Sequence, residues 1–152
     1  MKSTQAGLTV RSRWWQFLSP HRPWIYLVYL VVLFLPAFFG WPAGEWLTVS
    51  LLAMGVFLGL FVLAMVRRDA VALPAALATQ VLGFWLLPDN PGAAVFIIYA
   101  AAMVARVRER RWQRTGLAMW VAALLAGCLL VSVPLVYAAG YFVFGAIIAS
   151  AT

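Results

Sequence analysis

The sequence predicts an all-α membrane protein, a polytopic transmembrane bundle of about six spans with both termini in the cytoplasm. The first observation is the order of the charges. All eleven Lys and Arg residues fall into three clusters, at residues 2–22, 67–68 and 106–114. Two apolar segments separate each cluster from the next. The two apolar segments of each pair are joined by a turn, at residues 41–45 and 88–92, and neither turn carries a positive charge. Because loops rich in Lys and Arg stay cytoplasmic, this alternation predicts the orientation of every span.

The second observation is composition. Hydrophobic residues make up 66% of the chain and charged residues 10%, whereas soluble domains have about 45–50% and about 25%. A water-soluble fold of 152 residues cannot bury that much apolar surface. The net charge of +7 lies in short loops beside apolar segments, where topology and anionic lipid account for it. The lipid bilayer is therefore the expected partner, and nucleic acid is not.

The predicted elements follow from where the apolar segments begin and end. Residues 1–23 are polar and basic, with apolar residues at helical spacing, and are predicted to lie in the cytoplasm or at the membrane interface. Residues 24–152 form the predicted transmembrane bundle, and Pro74 is expected to kink or loosen the first turns of its third span. The six spans are predicted at about residues 24–41, 46–66, 70–87, 92–105, 116–133 and 135–151.

The last apolar stretch, residues 116–151, is too long for a single span of about 20 residues. We place the break between its two spans near Val133 and Pro134, with residues 138–140 as the other candidate. A single tilted span followed by an interfacial segment is the alternative.

The chain offers few groups for catalysis. Its four acids, Glu45, Asp69, Asp89 and Glu109, lie in turns or at span ends, so no charged group is placed for a proton relay or charge-coupled transport across the bilayer. His21 is the only histidine, which excludes a multi-His metal site within one chain. We therefore predict no catalytic residue and no cofactor or metal site in this chain.

Two pairs of residues within the spans are candidates for signal transmission or packing. Thr79 and Gln80 lie near the middle of the third span, and Gln80 needs a hydrogen-bond partner there, so it should face the bundle interior. Its role is either to transmit a signal or to join helices by hydrogen bonding. Gly55 and Gly59 form a Gly-x-x-x-Gly pair in the second span, a spacing that lets two helix backbones approach closely and predicts a dimer contact.

The densest run of charge follows the fourth span. Arg106, Arg108, Arg110 and Arg111 are predicted to contact anionic lipid head groups. The alternative is that these residues act only as a topology determinant.

The fourth span carries a resemblance to a known family. A Pro-Asp-Asn-Pro-Gly turn is followed by Ala-Ala-Val-Phe-Ile-Ile-Tyr-Ala-Ala-Ala at residues 93–102 and then by the basic loop. This arrangement resembles the membrane sensor region of DesK-type bacterial sensor histidine kinases. The best match is Phe-Ile-Ile-Tyr-Ala-Ala, which begins at Phe96 and includes Tyr99; the general layout of short spans is similar over the whole chain.

The resemblance implies a transmembrane signal-input domain of a two-component system in the bacterial inner membrane. It implies a packing or signalling role for Phe96 and Tyr99, and a homodimer. It also implies a kinase domain after residue 152, with ATP and Mg²⁺ as its cofactors and a response regulator as its partner. The family's phospho-acceptor His and nucleotide-binding boxes have no counterpart here, and His21 is not followed by Asp. A small multi-span transporter subunit and a standalone membrane assembly protein are the alternatives.

Membrane thickness or lipid order is the candidate stimulus. The fourth span, residues 92–105, is about 21 Å long at 1.5 Å per residue, whereas the hydrocarbon core is about 30 Å thick. A short helix in contact with lipid would respond to bilayer thickness, because hydrophobic mismatch costs free energy for every Å. The alternative is that neighbouring helices enclose this span, so that it does not meet lipid.

Overall fold

The computed structural model describes residues 23–40 and 44–151, and within these residues every regular element is helical. The predicted all-α fold is confirmed for this part of the chain. The N-terminal helix, α1, combines a 3-10 helix, Pro23–Phe34, with an α-helical turn, Leu35–Phe38. The other helices are α2 (Glu45–Val66), α3 (Ala72–Leu86), α4 (Ala94–Ala105, preceded by a 3-10 turn, Pro91–Ala93), α5 (Arg110–Leu130) and α6 (Leu135–Ala151). The predictions for residues 1–22, including His21 and the interfacial segment, lie outside the described residues.

Two of these helices, Glu45–Val66 and Arg110–Leu130, are long and apolar enough to cross a membrane. The other apolar helices have 10–17 residues: Leu27–Phe38, Ala72–Leu86, Pro91–Ala105 and Leu135–Ser150. At 1.5 Å per residue they are shorter than a hydrocarbon core about 30 Å thick. The order of six helices matches the predicted order of segments, whereas the crossing of a bilayer by all six stays a prediction.

Short polar side chains and prolines set the helix boundaries. The Val71 N–H donates to Asp69 Oδ1 at 3.1 Å, and α3 begins one residue later. Pro74 therefore lies in the first turn of α3, where a proline removes an N–H group that has no intrahelical partner. The helix continues through it to Leu86, so Pro74 marks the start of the helix rather than an interruption.

The break between α5 and α6 lies where the sequence predicted it. Ser132 adopts φ +55°, and Pro134 has no N–H group to continue the helix. The Val133 N–H instead donates to Cys128 O at 2.9 Å, which closes the end of α5. The predicted break near Val133 and Pro134 is confirmed, and the alternative at residues 138–140 is wrong because these residues lie within α6.

Helix α5 begins earlier than predicted. Its first residue is Arg110, so the basic segment after α4 is a short loop at residues 106–109 followed by a basic first turn of helix. Arg and Gln are good helix formers, so the basic residues from Arg110 onward extend the helix rather than the loop. The predicted fifth span, residues 116–133, lies within this helix up to Leu130, and its last three residues belong to the break before α6.

Helix α4 is the centre of the bundle. It packs most extensively on α3 and α6 and also contacts α1, α2 and α5. Phe96, Ile97, Ala100 and Ala101 have no solvent-exposed surface, and the small alanines let neighbouring backbones approach closely. This burial agrees with the alternative in which neighbouring helices enclose the span, and the hypothesis that membrane thickness is the stimulus stays a prediction.

The two ends of the bundle differ in charge. The start of α2 and the turn between α3 and α4 line one cavity; we call this the Asn90 end. At the opposite end, the Arg108 N–H donates to Arg68 O at 3.0 Å, which joins the loop after α2 to the loop after α4; we call this the arginine end. Consecutive helices from α2 to α5 therefore run in alternating directions, and two of the basic clusters meet at one end.

Candidate functional site

Asn90 joins three parts of the bundle through one buried carboxamide. Its Nδ2 donates to Leu33 O of α1 at 2.8 Å and to Ser50 Oγ of α2 at 2.9 Å. Its Oδ1 accepts from the Gly92 N–H at 2.9 Å. The side chains of Asn90 and Ser50 are wholly buried. In such surroundings an unpaired polar group is costly, so these three bonds fix the position of α4 relative to α1 and α2.

The local sequence explains why the carboxamide can turn inward. Asn90 is the N-cap of the Pro91–Ala93 turn, a position at which Asn is favoured and proline can follow. Gly92 then brings the chain against α1: a Cβ at this position would overlap Val32 O and lie 2.9 Å from Leu33 Cα. Only glycine permits this approach. Asn90 was predicted to lie in a turn and had no predicted role, although an Asn before Pro-Gly is a capping pattern.

A cavity of about 360 Å³ lies beside this junction at the Asn90 end. Its lining includes two of the four carboxylates of the chain, Glu45 and Asp89, together with Trp46, Ser50 and Asn90. Glu45 and Asp89 are exposed, so the cavity opens beside charged groups and ends against the buried carboxamide. The exposed carboxylates at the mouth of the cavity therefore line the same space as Asn90, the residue that positions α4.

Gln80 and Trp120 connect the middle of the bundle. Gln80 is buried, and its Nε2 donates to Trp120 O of α5 at 3.0 Å. The Trp120 Nε1–H donates to Ile97 O of α4 at 2.9 Å. Gln80 thus faces the bundle interior and bonds to another helix, while the signalling role considered for it stays a prediction. Gly145 of α6 leaves space for the Trp120 ring, which an added Cβ would meet at 2.6 Å.

Thr79 is also buried but bonds mainly within its own helix. Its hydroxyl donates to Ala75 O at 2.9 Å and lies 3.7 Å from Met103 Sδ of α4. A threonine that bonds to the carbonyl four residues earlier needs no partner on another helix. The contact with Met103 makes Thr79 a packing residue between α3 and α4.

The two residues carried by the resemblance, Phe96 and Tyr99, pack α4 against α2. The Phe96 ring stacks on Phe57 with ring centroids 4.9 Å apart, and the Tyr99 ring lies 5.1 Å from Phe57 and edge-on to Phe61. Such aromatic pairs contribute about 0.5–1.5 kcal/mol beyond burial. The Tyr99 hydroxyl is buried and has no hydrogen-bond partner in the described part of the chain.

The arginine end of α4 is held by a second amide side chain. Gln113 of α5 donates through Nε2 to Ala105 O at 2.6 Å, which satisfies a carbonyl at the C-terminus of α4. Together with the bond between Arg108 and Arg68, this contact fixes where α4 ends. Helix α4 is therefore hydrogen-bonded to other elements near its start, at its middle and at its end.

The remaining predicted residues, except Arg106, lie on the outside. Gly55 and Gly59 are exposed, and a Cβ added at either would meet no atom within 4 Å. Arg110 and Arg111 are exposed in the first turn of α5, and the Arg111 guanidinium lies 5.0 Å from the Trp112 ring. Arg106 is half-buried, whereas Arg108 is exposed and lines a cavity with the loop after α2.

Within residues 23–40 and 44–151, no three His, Cys, Asp or Glu residues are grouped so that they could hold a metal ion. Comparisons with models of protein families, with curated proteins and with solved structures found no match.

Proposed function

We propose that this chain is the membrane-embedded signal-input domain of a sensor histidine kinase of the type that it resembles. The observation that carries the proposal is the position of α4. The helix with the family-like residues is the enclosed centre of the bundle, and Asn90, Trp120 and Gln113 attach its start, middle and end to α1, α2 and α5. A change in the position of any of these helices changes the contacts of α4.

In this proposal the bundle spans the bacterial inner membrane six times, with the arginine end in the cytoplasm. The support is the alternation of basic clusters along the sequence, together with the meeting of Arg68 and Arg108 at one end. Large apolar side chains on the outside of the bundle, among them Leu52 and Trp85, would contact lipid. The helices shorter than the hydrocarbon core are accommodated by local thinning of the bilayer.

Signal transmission then requires two arrangements of the bundle that differ by a few kcal/mol. The hydrogen bonds of Asn90 stabilise the arrangement seen here. A stimulus acting at the Asn90 end weakens these bonds, and α4 and α5 shift relative to each other at the arginine end, where Gln113 contacts Ala105. The kinase, its ATP and Mg²⁺ and its response regulator belong to other parts of the system.

The orientation is tested by cysteine labelling in intact cells. Asp89 is exposed at one end and Glu109 at the other, so Asp89→Cys and Glu109→Cys are introduced separately in a Cys128→Ala background. An impermeant thiol reagent should label Asp89→Cys and leave Glu109→Cys unlabelled until the cells are opened. Asn90 is unsuitable as a labelling position because it is buried. Labelling of Glu109→Cys alone would reverse the proposed orientation.

The function is tested on the intact protein that contains this chain, reconstituted in vesicles with labelled ATP. The intact protein should incorporate phosphate, and residues 1–152 alone should not. Asn90→Ala should change the rate of incorporation by about fivefold or more, the effect of a coupling free energy of about 1 kcal/mol. The control is Thr48→Ala, which removes an exposed polar side chain of α2 that does not line the cavity and should leave the rate unchanged. Absence of phosphorylation in the intact protein contradicts the proposal.

A further inference from the structure

The arginine end contains a cavity of about 490 Å³ that two separate loops build together. The loop after α2 supplies Arg67, Arg68 and Asp69, and the loop after α4 supplies Arg108. The backbone bond from the Arg108 N–H to Arg68 O, 3.0 Å long, holds the two loops against each other. These residues belong to different basic clusters in the sequence, so only the fold brings them to one site.

The charges of the cavity are unevenly paired. Asp69 Oδ2 lies 3.4 Å from Arg67 Nη2, and its Oδ1 accepts from the Val71 N–H, so this carboxylate is engaged on both sides. Arg68 and Arg108 have no ion pair within the described part of the chain. Three guanidinium groups and one carboxylate leave an excess of positive charge, which selects an anion. Planar guanidinium groups bind phosphate oxygens in a bidentate manner.

The same cavity also has an apolar wall, which distinguishes a lipid from a free anion. Met65 and Val66, the last residues of α2, line it together with the arginines, and 72% of Val66 is exposed. A molecule that fits both walls has an anionic phosphate beside the guanidinium groups and an acyl chain along the outside of α2. This is the chemistry of an anionic phospholipid at a membrane surface.

We propose that Arg68 and Arg108, assisted by Arg67, bind the phosphate of an anionic phospholipid in this cavity. The site revises the prediction from sequence, which assigned head-group contacts to Arg106, Arg108, Arg110 and Arg111 along one segment. Arg111 contacts Glu109 and Trp112, and Arg110 does not line the cavity. The inference does not depend on a kinase function, because it concerns lipid binding alone.

The test is titration of short-chain phosphatidylglycerol into the purified chain in a neutral detergent, with bound lipid counted by native mass spectrometry. Arg68→Gln combined with Arg108→Gln should raise the apparent Kd about tenfold or more. The matched control, Arg110→Gln combined with Arg114→Gln, removes the same charge from exposed positions of α5 and should change the Kd less than about twofold. An equal loss in both pairs overturns the site in favour of a diffuse electrostatic attraction.

Two further measurements identify the molecule that occupies the cavity and exclude misfolding as the cause of weaker lipid binding. Asp69→Asn removes the one carboxylate of the cavity and should tighten phosphatidylglycerol binding about threefold, a change that a folding defect does not produce. Weaker binding in Asp69→Asn overturns the proposal. Phosphatidylcholine, whose head group is neutral overall, should bind at least about tenfold more weakly. Equal competition by inorganic phosphate would overturn the lipid as the occupant and leave an anion site.

Discussion

Helices α4 and α6 are both apolar and uncharged, but α4 is enclosed by the other helices whereas α6 exposes large side chains such as Leu135, Val136 and Phe144. Hydrophobicity does not separate the two, because lipid tails and the protein interior are similarly apolar. Side-chain size does not separate them either, because both helices carry three consecutive small residues, Ala100–Ala102 in α4 and Ala138–Gly140 in α6. Helix α4 differs in that side chains of other elements, or of the turn before it, hydrogen-bond at its start, middle and end. Buried hydrogen bonds therefore distinguish the central helix of this bundle from a peripheral one of similar composition.

The largest expected loss of stability follows from a substitution at the start of α4, where α4 is attached to α1. Gly92→Ala should lower the free energy of unfolding by about 3 kcal/mol, because its Cβ would overlap the backbone of α1. Gly140→Ala in α6 is the control: a Cβ there meets no atom within 4 Å, and alanine favours a helix over glycine. Unfolding by titration with SDS in mixed micelles measures both. Equal effects would contradict the close approach of α1 and α4.

Asn90→Ala should lower the free energy of unfolding by about 2 kcal/mol. The substitution leaves Leu33 O, Ser50 Oγ and the Gly92 N–H without their partner in a buried place. Asp89→Ala, one residue earlier and exposed, should change it by less than about 0.5 kcal/mol. The same titration measures the two variants, and a larger loss in Asp89→Ala would show that the turn, rather than the carboxamide, positions α4.

A third pair of variants replaces an alanine with leucine in α4 and in α6. Ala101 has no exposed surface and its Cβ lies 3.4 Å from the position of a Cβ at Gly145, so Ala101→Leu should cost about 1.5 kcal/mol by overpacking α4 against α6. Ala139 is exposed on α6, and Ala139→Leu should be nearly neutral. Thermal unfolding followed by circular dichroism in detergent compares them. If Ala139→Leu is as destabilising, then α6 has a packing partner on that face.

Gln80→Leu should change the free energy of unfolding by about 0.6 kcal/mol or less. It removes one hydrogen bond to Trp120 O but also removes the buried Oε1, which has no partner in the described part of the chain. Gln80→Ala, which also leaves a cavity, should cost more. Thermal unfolding of the two variants in detergent separates the contribution of the hydrogen bond from that of packing. If Gln80→Leu lowers the free energy of unfolding by more than about 2 kcal/mol, then this hydrogen bond is a principal contact between α3 and α5.

The smallest change in monomer stability is expected at Gly55 and Gly59. These residues of α2 are exposed, as are many residues of α6. Replacing both with Leu should leave monomer stability unchanged, since neither position has an atom within 4 Å of an added Cβ. If the chain forms the predicted homodimer through α2, then the same change should abolish chemical crosslinking of two copies in membranes. Gly140→Leu in α6 is the matched control. Unchanged crosslinking would remove α2 as the dimer contact.

The sequence predicted the helices better than it predicted the site. Pro134 marks the break between α5 and α6 because proline acts on its own backbone, whereas Pro74, which was expected to kink the third span, lies in the first turn of α3. Gln80 was expected to face inward because amide groups in an apolar region need a partner. Asn90 was overlooked because its partners, Leu33 O and Ser50 Oγ, are far away in the sequence. Trp120 and Gln113 were overlooked for the same reason, since each bonds to the backbone of another element.

By itself, the sequence determined that the described part of the chain is helical, roughly where its helices begin and end, and that the positive charges of the chain lie in three clusters outside the apolar segments. These properties depend on residues close together in the chain: the length of an apolar segment, a proline, a charge next to a span. Only the tertiary structure decided that α4 is central, that Arg68 and Arg108 share one cavity, and that Asn90 holds three elements together. The physical reason is that apolar segments are interchangeable until close contacts and buried hydrogen bonds select which of them meet.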